Sequence, residues 1–170
     1  MTRIGLLSDT HSFLDERLFE FFEDCDEIWH AGDIGDPTVA DQLEAVRPFR
    51  AVYGNIDGGE IRARYPLDAR FDCAGLRVSM THIGGYPKRY AKRVRESLRE
   101  DSQPPELFFS GHSHILKVMP DPQYQLLHIN PGACGHHGWH KVRTVVRFGI
   151  AEGRPRDLEV IELGPRGRRS

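Results

Sequence analysis

The chain has 170 residues, 28% of them charged, with 23 Lys and Arg against 25 Asp and Glu and a formal net charge of -2. That length favours a single domain, and the balance excludes a broad electrostatic pull toward nucleic acid or a membrane surface. Three cysteines (Cys25, Cys73, Cys134), none in a C-x-x-C pair, and no apolar opening segment point to a reduced, cytoplasmic compartment. No apolar run approaches the length of a membrane span.

"RIGLLS" (3–8) reads as a buried strand ending in a polar cluster. The stretch 14–25 puts Leu14, Leu18, Phe21 and Phe22 on one face and predicts a helix. "EIWH" (27–30) is a second strand. A helix is expected over 36–46, with Asp36 as N-cap and Pro37 at the first helical position, followed by a strand at 49–54. This order predicts parallel strands with right-handed crossovers. The second half changes character: a hairpin over 69–82 turning at Ala74-Gly75, a helix over 87–98 with Tyr90, Val94 and Leu98 on one face, then strands at 106–111, 115–119, 123–130, 141–150 and 157–163. The expectation is two βαβ units followed by a mainly antiparallel set. One domain over 1–164 with a basic tail over 165–170 accounts for the chain, and the basic runs 88–99 and 166–169 read as solvated surface.

Nine histidines exceed what packing needs. In open α/β sheets ligands bind at the carboxyl ends of strands, and each strand here delivers polar residues there. "SDTHS" carries Asp9 and His11; "HAGDIGD" carries Asp33; "YGNIDG" carries Asn55; "THIGG" carries His82; "SGHSH" carries His112 and His114. Singly, each has a plainer reading: Asp9, Asn55 and Asp57 as turn formers, Asp33 as a turn cap, a lone histidine as a hydrogen-bonded surface group. Seven together on one sheet edge suit a two-metal site. Four imidazoles and two carboxylates favour manganese, iron, cobalt, nickel or zinc over the all-oxygen shells of magnesium and calcium. A carboxylate such as Asp33 can bridge two such ions. Two divalent ions, two carboxylates and one hydroxide leave a formal positive charge, which suits an anionic phosphate ester.

"SDTH", "GDIGD", "GNID", "THIGG" and "GHSH" resemble the blocks of the calcineurin-like metallophosphoesterases, and the spacing and size resemble its compact YfcE-type phosphodiesterases; "NPGACG" is similar to a later block of that subgroup. The resemblance implies an α/β fold of two packed mixed β-sheets flanked by helices, a four-layer α/β/β/α sandwich. It implies one metal held by Asp9, His11, Asp33 and His114 and another by Asp33, Asn55, His82 and His112, with Asp33, Asn55 and His82 as the catalytic members. The implied cofactors are two divalent transition-metal ions, manganese first. The implied reaction is phosphodiester hydrolysis by a hydroxide shared between the ions.

The chain departs from the wider superfamily at Ile56, where phosphatases carry a histidine proposed as general acid, at Ser12, where glycine is usual, and at Ala133, where serine is usual. The stretch 134–144 is rich in histidine: His136, His137 and His140 could border the site, with Lys141 or Arg143 touching phosphate, or form a polar loop. His30 and His128 lie within strands and read as structural. The expected partner is a small phosphate ester, with no membrane and no nucleic acid, since a basic, aromatic-interleaved track is absent outside 88–99; self-association into a homo-oligomer is left open. The rival reading is a non-catalytic metal-binding scaffold of the same fold, like the small retromer subunit.

Overall fold

Alternation along the first strand explains the layering. In β1 (Thr2–Leu7), Ile4 and Leu6 turn one way and Leu7 the other, and all three are fully buried. A strand buried on both faces needs a layer on each side. A computed structural model of the chain describes residues 1–167 and supplies both layers. β1 pairs in parallel with β2 (Glu27–His30), which pairs in parallel with β3 (Phe49–Ala51). Parallel neighbours need crossovers, and α1 (Arg17–Phe21) and α2 (Pro37–Val46) provide them. Asp36 caps α2 as expected, its side chain accepting the Thr38 N–H at 2.9 Å, with Pro37 at the first position. Together with α3 (Gly59–Arg64), an element beyond those the sequence pattern predicts, these helices bury Leu18, Phe22, Val39, Leu43 and Ile61 against Leu7 and Ile28.

The hairpin β4 (Asp68–Cys73) and β5 (Leu76–Thr81) turns at Ala74 and Gly75, both at positive φ (47° and 85°), the backbone of a two-residue turn whose twist matches the strands. After the short hairpin of β6 (Gly85–Tyr86) and β7 (Arg89–Tyr90), α4 (Lys92–Glu100) carries the chain to β8 (Leu107–Phe109). β9 (Lys117–Asp121) and β10 (Leu126–Asn130) complete a second five-stranded sheet, ordered β4-β5-β8-β10-β9. β11 (Val142–Ala151) and β12 (Arg154–Pro165) return to the first sheet, ordered β12-β11-β1-β2-β3. Trp29, Met80, Phe109, Ile129 and Phe148 fill the space between the sheets, while Val94 and Leu98 of α4 pack on Phe108 and Leu126 on the outer face. The chain is the four-layer α/β/β/α sandwich of two mixed sheets.

Several expectations are corrected. The second half is mainly antiparallel, as expected, but β5, β8 and β10 run parallel to one another, with α4 as the crossover between β5 and β8. The helix expected over 14–25 shortens to 17–21; the Asp15 carboxylate accepts the Arg17 N–H and fixes its start, and the i−3 bonds of Glu23 and Cys25 tighten its end into turns. The helix expected from 87 begins at Lys92, because Pro87 and Lys88 (φ 71°) turn the β6–β7 hairpin instead. Of the tail expected over 165–170, Pro165 ends β12 and Arg166 N–H bonds the Lys141 carbonyl at 2.9 Å; residues 168–170 lie outside the described residues. Among the described residues no helix is long and apolar enough to cross a membrane.

Candidate metal centre

Five loops deliver the seven polar residues, and each follows a strand's carboxyl end: β1 leads to Asp9 and His11, β2 to Asp33, β3 to Asn55, β5 to His82, and β8 to His112 and His114. The first three strands are parallel in one sheet and the last two parallel in the other, so all five loops emerge at one end of the sandwich. The turns are sharp. Asp9, His11, Asp33, His112 and His114 all have positive φ, between 45° and 69°. Asp and His tolerate that region better than most residues, yet each such residue still costs about 1–3 kcal/mol unless its surroundings hold it. The loops hold one another: Asp9 N–H bonds the Gly32 carbonyl, His11 N–H that of Asp33, Gly111 N–H that of His82, and Gly135 N–H that of Asp9, all at 3.0–3.1 Å.

Two groups of three ligand atoms result, Asp9 with His11 and His114, and Asp33 with His82 and His112; within each, the atoms lie within 4.8 Å of one another. Each carboxylate is held by one oxygen and offers the other. Asp9 Oδ2 accepts from Ser8 Oγ at 2.7 Å and from His112 N–H at 3.1 Å, while Oδ1 faces His114 Nε2 at 3.1 Å and His11 Nε2 at 3.6 Å. Asp33 Oδ1 accepts from Ile56 N–H at 3.1 Å, while Oδ2 lies 3.1 Å from His82 Nε2 and 3.3 Å from His11 Nε2. Asp33 therefore reaches both groups. His82 Nδ1 donates to the Ala31 carbonyl at 2.8 Å, which fixes the ring orientation and turns Nε2 toward Asp33. Asn55 Oδ1 lies 3.0 Å from His112 Nδ1, at the edge of the second group.

These residues fit metal ions. Asp9 Oδ1, His11 Nε2 and His82 Nε2 are buried and make no hydrogen bond among the described residues. Buried polar atoms without a hydrogen bond cost about 1–3 kcal/mol each, and carboxylate and imidazole atoms that face one another at 3.1–3.3 Å without one are arranged as a cation between them would require. The electrostatics agree. Burial raises the Asp9 and Asp33 carboxyls, but the imidazoles beside them outweigh it and hold both below the usual carboxylate range. Burial lowers His11, yet Asp33 and Asp9 raise it to about 9. His112, by contrast, is lowered, by burial and then by the His82 charge. In the metal-free chain protons hold the place of cations, and metal binding releases them.

The motif glycines have a steric reason. A Cβ on Gly54 would stand 2.1 Å from Asp33 Oδ1, and one on Gly111 would stand 2.1 Å from Ser8 Oγ and 2.8 Å from Asp9 Oδ2. Supporting residues were harder to read from sequence. Asp57, a turn former by residue type, is buried and accepts the N–H groups of Gly54, Gly35 and Ile34 at 2.7, 2.8 and 3.2 Å, stapling the Asp33 loop to the Asn55 loop. Asn130 Nδ2 donates to the Gly111 carbonyl and Ser113 Oγ, both at 3.0 Å, and so holds the "GHSH" turn. The only signal for either was its place inside a motif. His30 in β2 accepts the Gly32 N–H at Nδ1 and meets Thr10 Oγ1 at Nε2; burial lowers it to about 3 and keeps it neutral.

The histidine-rich loop borders the first group. His137 stacks on His11, with ring centroids 4.5 Å and planes 18° apart, and His140 meets His114 edge-on at 5.1 Å. His136 packs on Phe13 and bonds the Arg166 carbonyl. Arg143 is not at the site. It is buried and turned inward, to Asp15 Oδ2 at 3.0 Å and the Leu163 carbonyl at 3.1 Å, because β11 points that side chain between the layers.

A family model for the calcineurin-like phosphoesterase superfamily domain matches residues 2–153. A probable metallophosphoesterase of Methanothermobacter thermautotrophicus is 30% identical over 137 residues, covering 76% of each chain. Among solved structures, one described as a novel archaeal phosphodiesterase superposes with a TM-score of 0.76 at 22% identity, covering 95% of this chain and 100% of that one. Vps29 of Entamoeba histolytica, solved with zinc, superposes at 0.69 with 13% identity, covering 95% and 99%. The motif blocks, the sandwich and the family match agree: this chain belongs to the calcineurin-like phosphoesterase superfamily.

Proposed function

We propose that the chain is a metal-dependent phosphodiesterase with a dinuclear centre, acting on a small phosphate diester. The observation that carries this reading is the pair of half-satisfied carboxylates. Asp9 and Asp33 each spend one oxygen on the protein and present the other to imidazole nitrogens, and Asp33 Oδ2 faces both groups. One ion would be held by Asp9, His11, Asp33 and His114, the other by Asp33, Asn55, His82 and His112. Two such ions, when bound, supply Lewis acidity toward phosphoryl oxygens and an activated water at neutral pH.

The chain's own part is positioning and charge. The Ile56 N–H and the Ala31 carbonyl hold Asp33 and His82 in the orientation the centre requires. Two dications against two carboxylates leave net positive charge, which favours an anionic ester. At the position where a phosphatase would carry an acid, Ile56 offers only an aliphatic side chain, 45% exposed. That favours diesters with readily departing groups over alkyl monoesters. The similarity to an archaeal phosphodiesterase supports the same reading.

The rival reading, a metal-binding scaffold, draws on the likeness to Vps29. The test is metal-stripped protein reloaded with manganese, iron, cobalt, nickel or zinc and assayed against phosphomonoesters, cyclic nucleotides and simple diesters. Diester hydrolysis restored by metal, with two ions per chain by elemental analysis, is the expected result. Metal uptake without hydrolysis of any ester would favour the scaffold.

A further inference from the structure

Two grooves leave the second ligand group, one on each side of Ile83. The first, about 650 Å³, has His82 and Asn55 at its head and Tyr53, Leu67 and Arg62 along its walls. The second, about 330 Å³, has His112 at its head and Tyr86, Ile115 and Lys117 along its walls. Ile83 and Ala91 line both and form their common wall, and Ile83 is 43% exposed. Both volumes fall in the range of about 300–1,000 Å³ typical of small-molecule pockets.

The grooves are alike in construction. In the first, the Arg62 guanidinium lies over the Tyr53 ring, 4.7 Å from its centroid; in the second, Lys117 Nζ lies over the Tyr86 ring at 3.4 Å. Arg62 spends its Nε on the Asp57 carbonyl at 2.7 Å, which anchors it. Neither the terminal nitrogens of Arg62 nor Lys117 Nζ makes a hydrogen bond or ion pair among the described residues. Each groove thus combines apolar wall, a half-buried tyrosine and a cation with donors to spare. That combination suits a flat ring system bearing acceptor atoms: the ring packs on the wall and tyrosine, and its acceptors meet the cation.

We infer that the two grooves receive the two ester arms of the substrate, one on each side of Ile83, so that the substrate is a diester joining two flat, acceptor-bearing groups of aryl to nucleoside size. This rests on the phosphodiesterase reading and sharpens it. A monoester fills one groove at most. A diester with a ring on each side fills both, and its phosphorus then sits where the grooves meet, at His82 and His112.

The test holds the leaving group constant. Manganese-loaded protein is assayed with bis(4-nitrophenyl) phosphate and with methyl 4-nitrophenyl phosphate, which share a leaving group and differ in the second arm. The expected kcat/KM ratio is about 10 or more in favour of the two-ring diester, within the range stacking on aromatic side chains provides. Arg62→Ala and Lys117→Ala should each lower that ratio by about 3- to 10-fold. In parallel, proton NMR follows the Tyr53 and Tyr86 rings; diphenyl phosphate, which departs slowly, should shift both, and dimethyl phosphate neither. A ratio near one in the wild type, or one unmoved in both variants, overturns the two-groove inference while the diesterase stands. Should neither diester be hydrolysed while diphenyl phosphate still shifts both tyrosines, the grooves stand and the hydrolytic reading falls. With neither hydrolysis nor shifts, both fall.

Discussion

Ile56 gives Asp33 its backbone rather than its side chain: the Ile56 N–H lies 3.1 Å from Asp33 Oδ1, and the aliphatic group projects outward, 45% exposed. An alkyl group has no proton for a departing alkoxide, and a positioned acid is worth about 10²- to 10⁴-fold. Rates across a leaving-group series should therefore fall steeply as leaving-group pKa rises. Ile56→His keeps the N–H that holds Asp33 and should flatten that slope if its imidazole reaches the leaving oxygen. A flat dependence in the wild type, with chemistry rate-limiting, would show that another acid is in place.

Because Asp33 Oδ2 faces His82 at 3.1 Å and His11 at 3.3 Å, Asp33→Asn removes a charge that serves both groups. Metal affinity at both positions should fall together, by more than about 100-fold, since even outer-shell changes typically cost 10- to 100-fold. His114→Ala touches only the group built on Asp9 and should leave about one ion per chain. Calorimetric titration of the apo variants with manganese separates the two patterns. Near-normal stoichiometry in Asp33→Asn would rule out a shared ligand.

Gly54→Ala is a steric probe of the same carboxylate. The added methyl would meet Asp33 Oδ1 at 2.1 Å, whereas one on Gly58 or Gly59 meets nothing within 4 Å. Gly54→Ala should reduce metal affinity by about 10- to 100-fold, and Gly59→Ala, inside α3, should leave it within a factor of about two while raising stability slightly. Equal affinities in the two variants would mean that Asp33 can move without consequence.

His128 gives a stability signature away from the centre. It is buried in β10 against the Phe108 ring, 5.4 Å between centroids, and burial lowers it to about 4. A histidine lowered in the folded state contributes stability that is complete above the unfolded value of about 6.5 and is lost as pH falls toward 4. The full loss amounts to about 3 kcal/mol, at about 1.4 kcal/mol per pKa unit. His128→Leu removes the charging penalty, so denaturant midpoints of wild type and variant should diverge between pH 6.5 and 4, the variant holding on longer. Parallel curves would place the acid sensitivity elsewhere, for instance at His30, which is lowered further.

Local patterns carried much of this molecule. A strand's alternation, the N-cap at Asp36 and the Ala74-Gly75 turn depend on neighbours a few residues apart, and the structure keeps them. The strand-end rule then places Asp9, His11, Asp33, Asn55, His82, His112 and His114 at one end of the sandwich, because parallel strands share their carboxyl edge. Long-range contacts settled the rest. Which sheet receives β11 and β12, and that β5, β8 and β10 run parallel, depends on pairings that no local period encodes. Pro87 and Lys88 read as the start of a helix until β6 and β7 pair across them. Asp57 looks like a turn residue until three N–H groups from two loops converge on it. Arg143 looks like a phosphate ligand until the Asp15 carboxylate, 128 residues away in sequence, draws it inward. The two grooves beside Ile83 exist only because the loops after β3, β5 and β8 meet in space, and a cation there finds its tyrosine across 9 residues in one groove and 31 in the other, from Tyr53 to Arg62 and from Tyr86 to Lys117.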